Sequence, residues 1–295
     1  MPIAVIAFDF DPLLRLAEGL VVRWQTVALA AAIATTLVLA ALIARRDGLR
    51  AEDLLFIAVG IVPGAVIGGR IGYVLLHLEY YTANPGSILD PGLGAMELAL
   101  GVVGGLLSGS CVASLLGAPV GRWRQAAALP LLFVLGVGKL TMILGGAGQG
   151  TPSSATWATA FLGPGPWGSL APALPSEPSQ AYEAVATLAI LVVLMLALWF
   201  GAFARRDGRV LFGGIALWAF ARAAIATTWR DEAVVGGLNM GALIAIGVGV
   251  GSLAIVLAMT VRASSRATDD PGTAVGGDGS GEPVSWPDPG SRPPF

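Results

Sequence analysis

Long apolar runs, separated by short connections that collect arginine, glycine and proline, make up most of the chain. A helix rises about 1.5 Å per residue, so crossing a hydrocarbon core of about 30 Å takes about 20 residues. Seven stretches reach or approach that length: 26–44, 54–78, 93–116, 126–145, 181–204, 211–229 and 236–261. The pattern predicts an all-α, polytopic membrane protein with seven transmembrane helices. Two regions fall outside it. Residues 145–180 are rich in Pro, Gly and Ser and carry Trp157 and Trp167, whose indoles suit a membrane interface. From about 264 the chain loses apolar periodicity and reads as a disordered extension. The expected division is a transmembrane domain over 1–262 and a tail over 263–295.

Arginine placement then orients the spans, because short cytoplasmic loops are enriched in basic residues. Alternate connections hold Arg45, Arg46 and Arg50, then Arg122 and Arg124, then Arg205, Arg206 and Arg209, then Arg262 and Arg266. The opposite side has only Arg15, Arg23 and Arg230. This places the N-terminus outside and the C-terminus in the cytoplasm.

Composition supports the same class: 55% hydrophobic and 12% charged residues, with a mean hydropathy of +0.77. A net charge of −2 and scattered arginines leave no basic stripe for a phosphate backbone, so no nucleic-acid partner is expected. The lone Cys111 has no disulfide partner and reads as a small buried thiol, and no Cys/His cluster has metal-ligand spacing. The opening "MPIAVIAFDFDP" lacks a basic n-region, so the first span is expected to be retained.

Three cations remain inside spans: Arg70, Lys139 and Arg222. Each stands about six to eight residues before the outer end of an outward-running span, or about 9 to 12 Å below the boundary. Glu97 and Glu183 lie at a similar level on the third and fifth spans. A cation at mid-membrane costs about 2.5 to 3.5 kcal/mol, so three at one level call for a reason. One reading is snorkelling or pairing with Glu97 or Glu183. The other is a polar cavity open to the outer leaflet, its positive floor suited to a phosphate. Glycines in "GGRIG", "GVVGG" and "GVGKL" would let the helices around it pack closely. His77 reads as part of an interfacial belt with Glu79, Tyr80 and Tyr81.

The stretches "GGRIGYVLLHLEYYTANPGSIL", "GAMELALGVVGGLL", "PSQAYEA" and "WAFARAAIATTWRDE" resemble the prolipoprotein diacylglyceryl transferases, over about residues 8 to 262. That resemblance implies a multi-pass protein of the bacterial plasma membrane. It also implies transfer of a diacylglyceryl group from phosphatidylglycerol to the lipobox cysteine in the signal peptide of a prolipoprotein, with no metal or cofactor. The partners implied are therefore the lipid bilayer, phosphatidylglycerol and the precursor peptide. Carried over position by position, the resemblance makes Arg222 and Lys139 catalytic candidates; Glu97 is the candidate substitute base on the span where the family has a histidine, although two residues from Ala99 it lies about 200° around the helix. Arg70, Tyr73, Gln180, Tyr182, Glu183 and Arg230 become substrate-binding candidates.

The chain also departs from the family's usual residues. Gln25 stands for a tyrosine, Ala99 for a histidine, Glu177 for a histidine and Ala226 for a glutamate. Lys139 stands for an arginine, and Met142, Gly145 and Ala147 stand where the fourth-span signature is polar. A second reading is accordingly a non-catalytic relative that binds anionic phospholipid or lipoprotein precursors. A transporter would be marked by internal repeats.

Overall fold

The structure, a computed structural model, describes residues 5–90, 92 and 96–268. Strands β1 (Ile6–Phe8), β2 (Leu13–Ala17) and β3 (Leu20–Arg23) lead into helices α1 (Trp24–Arg46) and α2 (Asp53–Leu76). A short α3 (Leu78–Ala83) and a 3-10 turn (Pro85–Leu89) precede α4 (Leu98–Leu115) and α5 (Val120–Gly145). Strand β4 (Thr159–Phe161) lies in the long loop before α6 (Ser179–Trp199) and α7 (Arg209–Ile225). Strands β5 (Ala233–Val235) and β6 (Leu238–Asn239) then lead into α8 (Met240–Thr268). Seven of the helices are long and apolar enough to cross a membrane, so the all-α, seven-span expectation holds among the described residues.

Helix ends are where expectation and structure part. The second span stops at Leu76 because the His77 N–H is shared between the Tyr73 and Val74 carbonyls, and the chain turns into α3. The first residues expected in the third span, 93–95, lie outside the described residues, and its helix starts at Leu98. Arg122 and Arg124, expected in a loop, lie in the first turns of α5. Among the described residues those up to 257 form one compact unit, and 258–268 belong to a second. In the second unit α8 continues to Thr268, with Ser264 and Ser265 hydroxyls bonded back to Thr260 and Val261 carbonyls. The expected tail is thus helical over 263–268, and its remainder lies outside the described residues.

Lipid tails are as apolar as leucine, so the helices associate through close packing more than through removal from water. The seam between α2 and α4 is the tightest case. A Cβ at Gly64 would stand 2.1 Å from the Gly104 carbonyl oxygen, and one at Gly104 2.0 Å from that of Gly64. A Cβ at Gly68 would stand 2.2 Å from the Leu100 carbonyl, so the two backbones touch along three turns. The most enclosed helix is α7, with 56% of its apolar window buried against 17–33% in the others. Around it pack Leu132, Leu135, Leu194, Leu211, Ile215 and Trp218. A second cluster joins Ala44, Leu49, Ile57 and Trp123 at the Asp47 end of α1. Cys111 is exposed rather than buried, because it lies on the outward face of α4.

The long loop is folded, which its composition concealed. Strand β1 runs parallel to β4, and Thr159 is also bridged to Ser176. Phe8 stacks on Phe161 at 5.1 Å and Trp167 closes on Phe161 at 5.0 Å. Trp167 donates its ring N–H to the Gly163 carbonyl, so it serves the loop's own packing. Gly146 ends α5 at φ 64°, and a Cβ there would also strike the Trp167 ring.

Candidate functional site

The loop covers one end of the bundle, and beneath it α4, α5, α6 and α7 each contribute one charged side chain. Arg222, on the enclosed α7, donates through Nη1 to Glu183 Oε2 and through Nη2 to Glu97 Oε1 at 3.3 Å. Lys139 of α5 donates to the other Glu183 oxygen at 3.0 Å. Side-chain exposure is only 7% for Arg222, 4% for Glu183 and 2% for Glu97. Two cations and two carboxylates are therefore closed on one another where neither sign could stay alone. The Trp229 ring centre lies 4.5 Å from the Arg222 guanidinium carbon, and that of Trp218 5.9 Å.

Glu97 has a second task, which fixes its position. It is the N-cap of α4, taking the Ala99 N–H on Oε1 at 2.8 Å and the Leu100 N–H on Oε2 at 2.7 Å. Its own N–H reaches the Gly69 carbonyl, and a Cβ at Gly72 would meet Glu97 Cβ at 2.6 Å. The α2–α4 seam and the α4 N-terminus thus fix where this carboxylate sits. Every oxygen of Glu97 and Glu183 already accepts a hydrogen bond.

Two polar groups beside this cluster lack partners among the described residues. Arg222 Nε has no acceptor, and Gln180, 1% exposed, has no partner for either amide atom. Gln180 lies one turn before Glu183 on α6. Buried polar atoms are nearly always bonded, so both point to a polar ligand or solvent at that level.

Arg70 and Tyr73 stand apart. Arg70 does not share an acceptor with Lys139 or Arg222; it donates to the carbonyls of Ile88 at 2.7 Å, Ser87 at 2.9 Å and Asp90 at 3.0 Å. The Tyr73 and Tyr81 rings lie 5.9 and 5.4 Å from its guanidinium carbon. Tyr73 packs on the His77 ring at 4.2 Å. The three cations expected to form one floor are therefore two in one ionic cluster and one pinning the 3-10 turn after α3.

The rim carries a residue that sequence reading noted only as a departure. Glu177 accepts the Tyr182 hydroxyl at 2.5 Å and the Trp157 indole N–H at 3.4 Å. Hydrogen bonds from Ser153, then Tyr182, hold its carboxyl below the usual carboxylate range. The signal available was its place two residues before "SQ", at the start of α6. Arg230 ties the loop to the end of α7, donating to the Gly150 carbonyl at 2.6 Å and to Ser176 Oγ at 2.9 Å. Gln25 and Gly145, two of the departures, explain each other: a Cβ at 145 would stand 1.9 Å from Gln25 Oε1. Among the described residues no group of three His, Cys, Asp or Glu side chains is placed to hold a metal ion.

Residues 12–258 match the family model described as prolipoprotein diacylglyceryl transferase. A phosphatidylglycerol–prolipoprotein diacylglyceryl transferase of Bordetella avium is 28% identical over 220 residues, covering 73% of this chain and 79% of the relative. The enzyme of that name from Clostridioides difficile is 25% identical over 139 residues, 47% of this chain and 56% of the relative. That from Geobacter sulfurreducens is 30% identical over 129 residues, 43% of this chain and 47% of the relative. With the seven spans and a family match running from before α1 into α8, the chain belongs to the prolipoprotein diacylglyceryl transferase family.

Proposed function

We propose that this protein, a multi-pass protein of the bacterial plasma membrane, transfers the diacylglyceryl group of phosphatidylglycerol to a cysteine thiol in the lipobox of a prolipoprotein. The family match supports the reaction. The observation that carries the site is Arg222, buried, aromatic-flanked and left with an unpartnered Nε, together with the unpartnered amide of Gln180 one turn before Glu183. In the reaction the thiolate sulfur bonds to the terminal glycerol carbon of the diacylglyceryl group. The carbon–oxygen bond to phosphate breaks, and glycerol 1-phosphate leaves with the electron pair.

In this reading Arg222 donates Nε to the departing phosphate, and Lys139 adds a second positive charge across Glu183. Gln180 offers one donor and one acceptor to the headgroup. Glu97 and Glu183 act as counter-ions that aim the cations, since donors already occupy their oxygens. Arg230 and the Glu177–Tyr182 pair hold the loop over the cluster.

A carboxylate held below its usual range is also a weak acceptor for a thiol proton, so Glu177 is assigned to positioning. The thiol then gives its proton to solvent, and the transfer rate should rise with the thiol's own ionisation, near a pKa of about 8.5. The test is the purified protein in liposomes with acyl-labelled phosphatidylglycerol and a lipobox peptide. Label should move to the cysteine peptide and not to its serine variant. Retained phosphatidylglycerol binding with no transfer would instead leave a protein that binds the lipid without reacting it.

A further inference from the structure

A cavity of about 490 Å³ runs between α4, α7 and α8, from Leu75 and Leu100, the latter next to the Glu97 cap, to Arg124 at its far end. Its wall is apolar, with Val103 and Leu107 from α4 and Ile215 from α7. Its one charged lining residue is Arg124, beside Ser110. Arg124 and Lys139 are at opposite ends of α5, fifteen residues or about 22 Å apart along the axis. The Arg124 end of the groove is therefore a different place from the site around Arg222.

Two features of the groove are not explained by packing. Gly247 and Gly251, one turn apart on α8, line it, and a Cβ at either would meet nothing within 4 Å. Glycine inside a helix is destabilising relative to alanine, and in the α2–α4 seam backbone contact requires it. At 247 and 251 what the missing side chains leave is width.

The second feature is the state of Arg124. Its Nε donates to Ser110 Oγ at 3.2 Å and its guanidinium carbon lies 5.6 Å from the Phe212 ring. Among the described residues no carboxylate pairs with it, and its two terminal amino groups have no acceptor. A guanidinium fork with open donors at the end of an apolar groove is complementary to a phosphate diester carrying an acyl chain. Leu107 is 68% exposed, so the groove opens sideways toward the bilayer, from which a lipid can enter.

We propose that this groove binds one anionic phospholipid, its phosphate on Arg124 and an acyl chain lying along α4 past Gly247 and Gly251. The site does not depend on the transferase reading, and the lipid it holds is bound, not consumed. Arginine placement puts the Arg124 end on the cytoplasmic side, so the natural source is the inner leaflet.

The test uses the full chain in neutral detergent and phosphatidylglycerol bearing a photoreactive acyl chain, with a phosphatidylcholine probe of the same chains as control. Cross-links are mapped by peptide mass spectrometry. The anionic probe should label residues 103–110 of α4 and 247–255 of α8 about tenfold more than the zwitterionic one. Arg124→Gln should reduce labelling there to the zwitterionic level, and Arg124→Lys should keep part of it. Gly251→Leu fills the groove without meeting protein, so it should remove labelling while helix content is unchanged, and it decides the matter if Arg124→Gln fails to fold. Equal labelling by both probes, or labelling that survives Gly251→Leu, would overturn the proposal. Full competition by inorganic phosphate would assign Arg124 to a free anion and overturn it too. Diacylglyceryl transfer measured on the same wild-type sample separates failure of this site from failure of the enzymatic reading.

Discussion

Arg70 and Arg222 each stand six residues before the end of a span and each lie against two aromatic rings, but their hydrogen-bond partners differ in kind. Arg222 faces the middle of the bundle and is closed in by two carboxylates and two indoles. Arg70 faces a surface turn and donates to three of its backbone carbonyls. Depth can be counted along a helix, because each residue adds a fixed rise. Facing depends on rotation about the axis, and an apolar run carries little record of which side meets its neighbours. The two arginines therefore have separate jobs: Arg222 holds charge in the interior, and Arg70 shapes the segment between α3 and α4.

The sharpest way to break this distinction is to remove each cation. Arg222→Gln leaves Glu97 and Glu183 buried with one cation between them, and breaking a buried pair costs about 3–5 kcal/mol. Thermal unfolding in detergent should show that loss. Adding Glu183→Gln should restore part of the stability while leaving transfer absent. Next in size is the seam that carries Glu97. Gly68→Ala drives a methyl into the Leu100 carbonyl, with an expected cost of about 1–3 kcal/mol in the same assay. It should also weaken the Glu97–Arg222 contact, because α4 must move to make room.

Arg70→Gln should cost less, about 1–2 kcal/mol, since the turn it serves is partly solvated. Its mark should be faster amide hydrogen exchange over 84–90, with the ionic cluster undisturbed. The smallest effect belongs to Glu177. Its folded carboxyl is held low, so its stabilising contribution is present above the unfolded value of 4.5 and is lost as pH falls through the folded one. The melting temperature of the wild type should fall more steeply below that pH than that of Glu177→Gln; equal slopes would mean that the rim contacts add nothing.

The same contrast explains what the sequence made legible. Seven spans were readable because a membrane-crossing helix must be long and apolar, and the helices found differ mainly at their ends. The pairing of embedded cations with Glu97 or Glu183 was one of two open readings, since buried charges need partners. That Glu97 caps α4 was hidden, because glutamate is not a preferred N-cap residue. The strands of the long loop were also hidden: three residues paired with a segment about 150 positions away carry no periodicity. Trp229 could be read only as an aromatic residue, and its place on the Arg222 face is set by where α7 ends. The Gln25–Gly145 pair shows two departures that compensate in space, which appears only once α1 and α5 are side by side.

The central claim is that Arg222 belongs to the reacting site and Arg70 to its scaffold. The most direct test is diacylglyceryl transfer from phosphatidylglycerol to a lipobox peptide, measured at equal folded concentration for wild type, Arg222→Lys and Arg70→Lys. Lysine keeps the charge in both and removes the fork. Arg222→Lys should lower the rate by about a hundredfold or more, since loss of an oriented donor to a developing charge costs about that much. Arg70→Lys should stay within about tenfold of wild type. Equal losses in the two variants, or a larger loss at Arg70, would contradict the account.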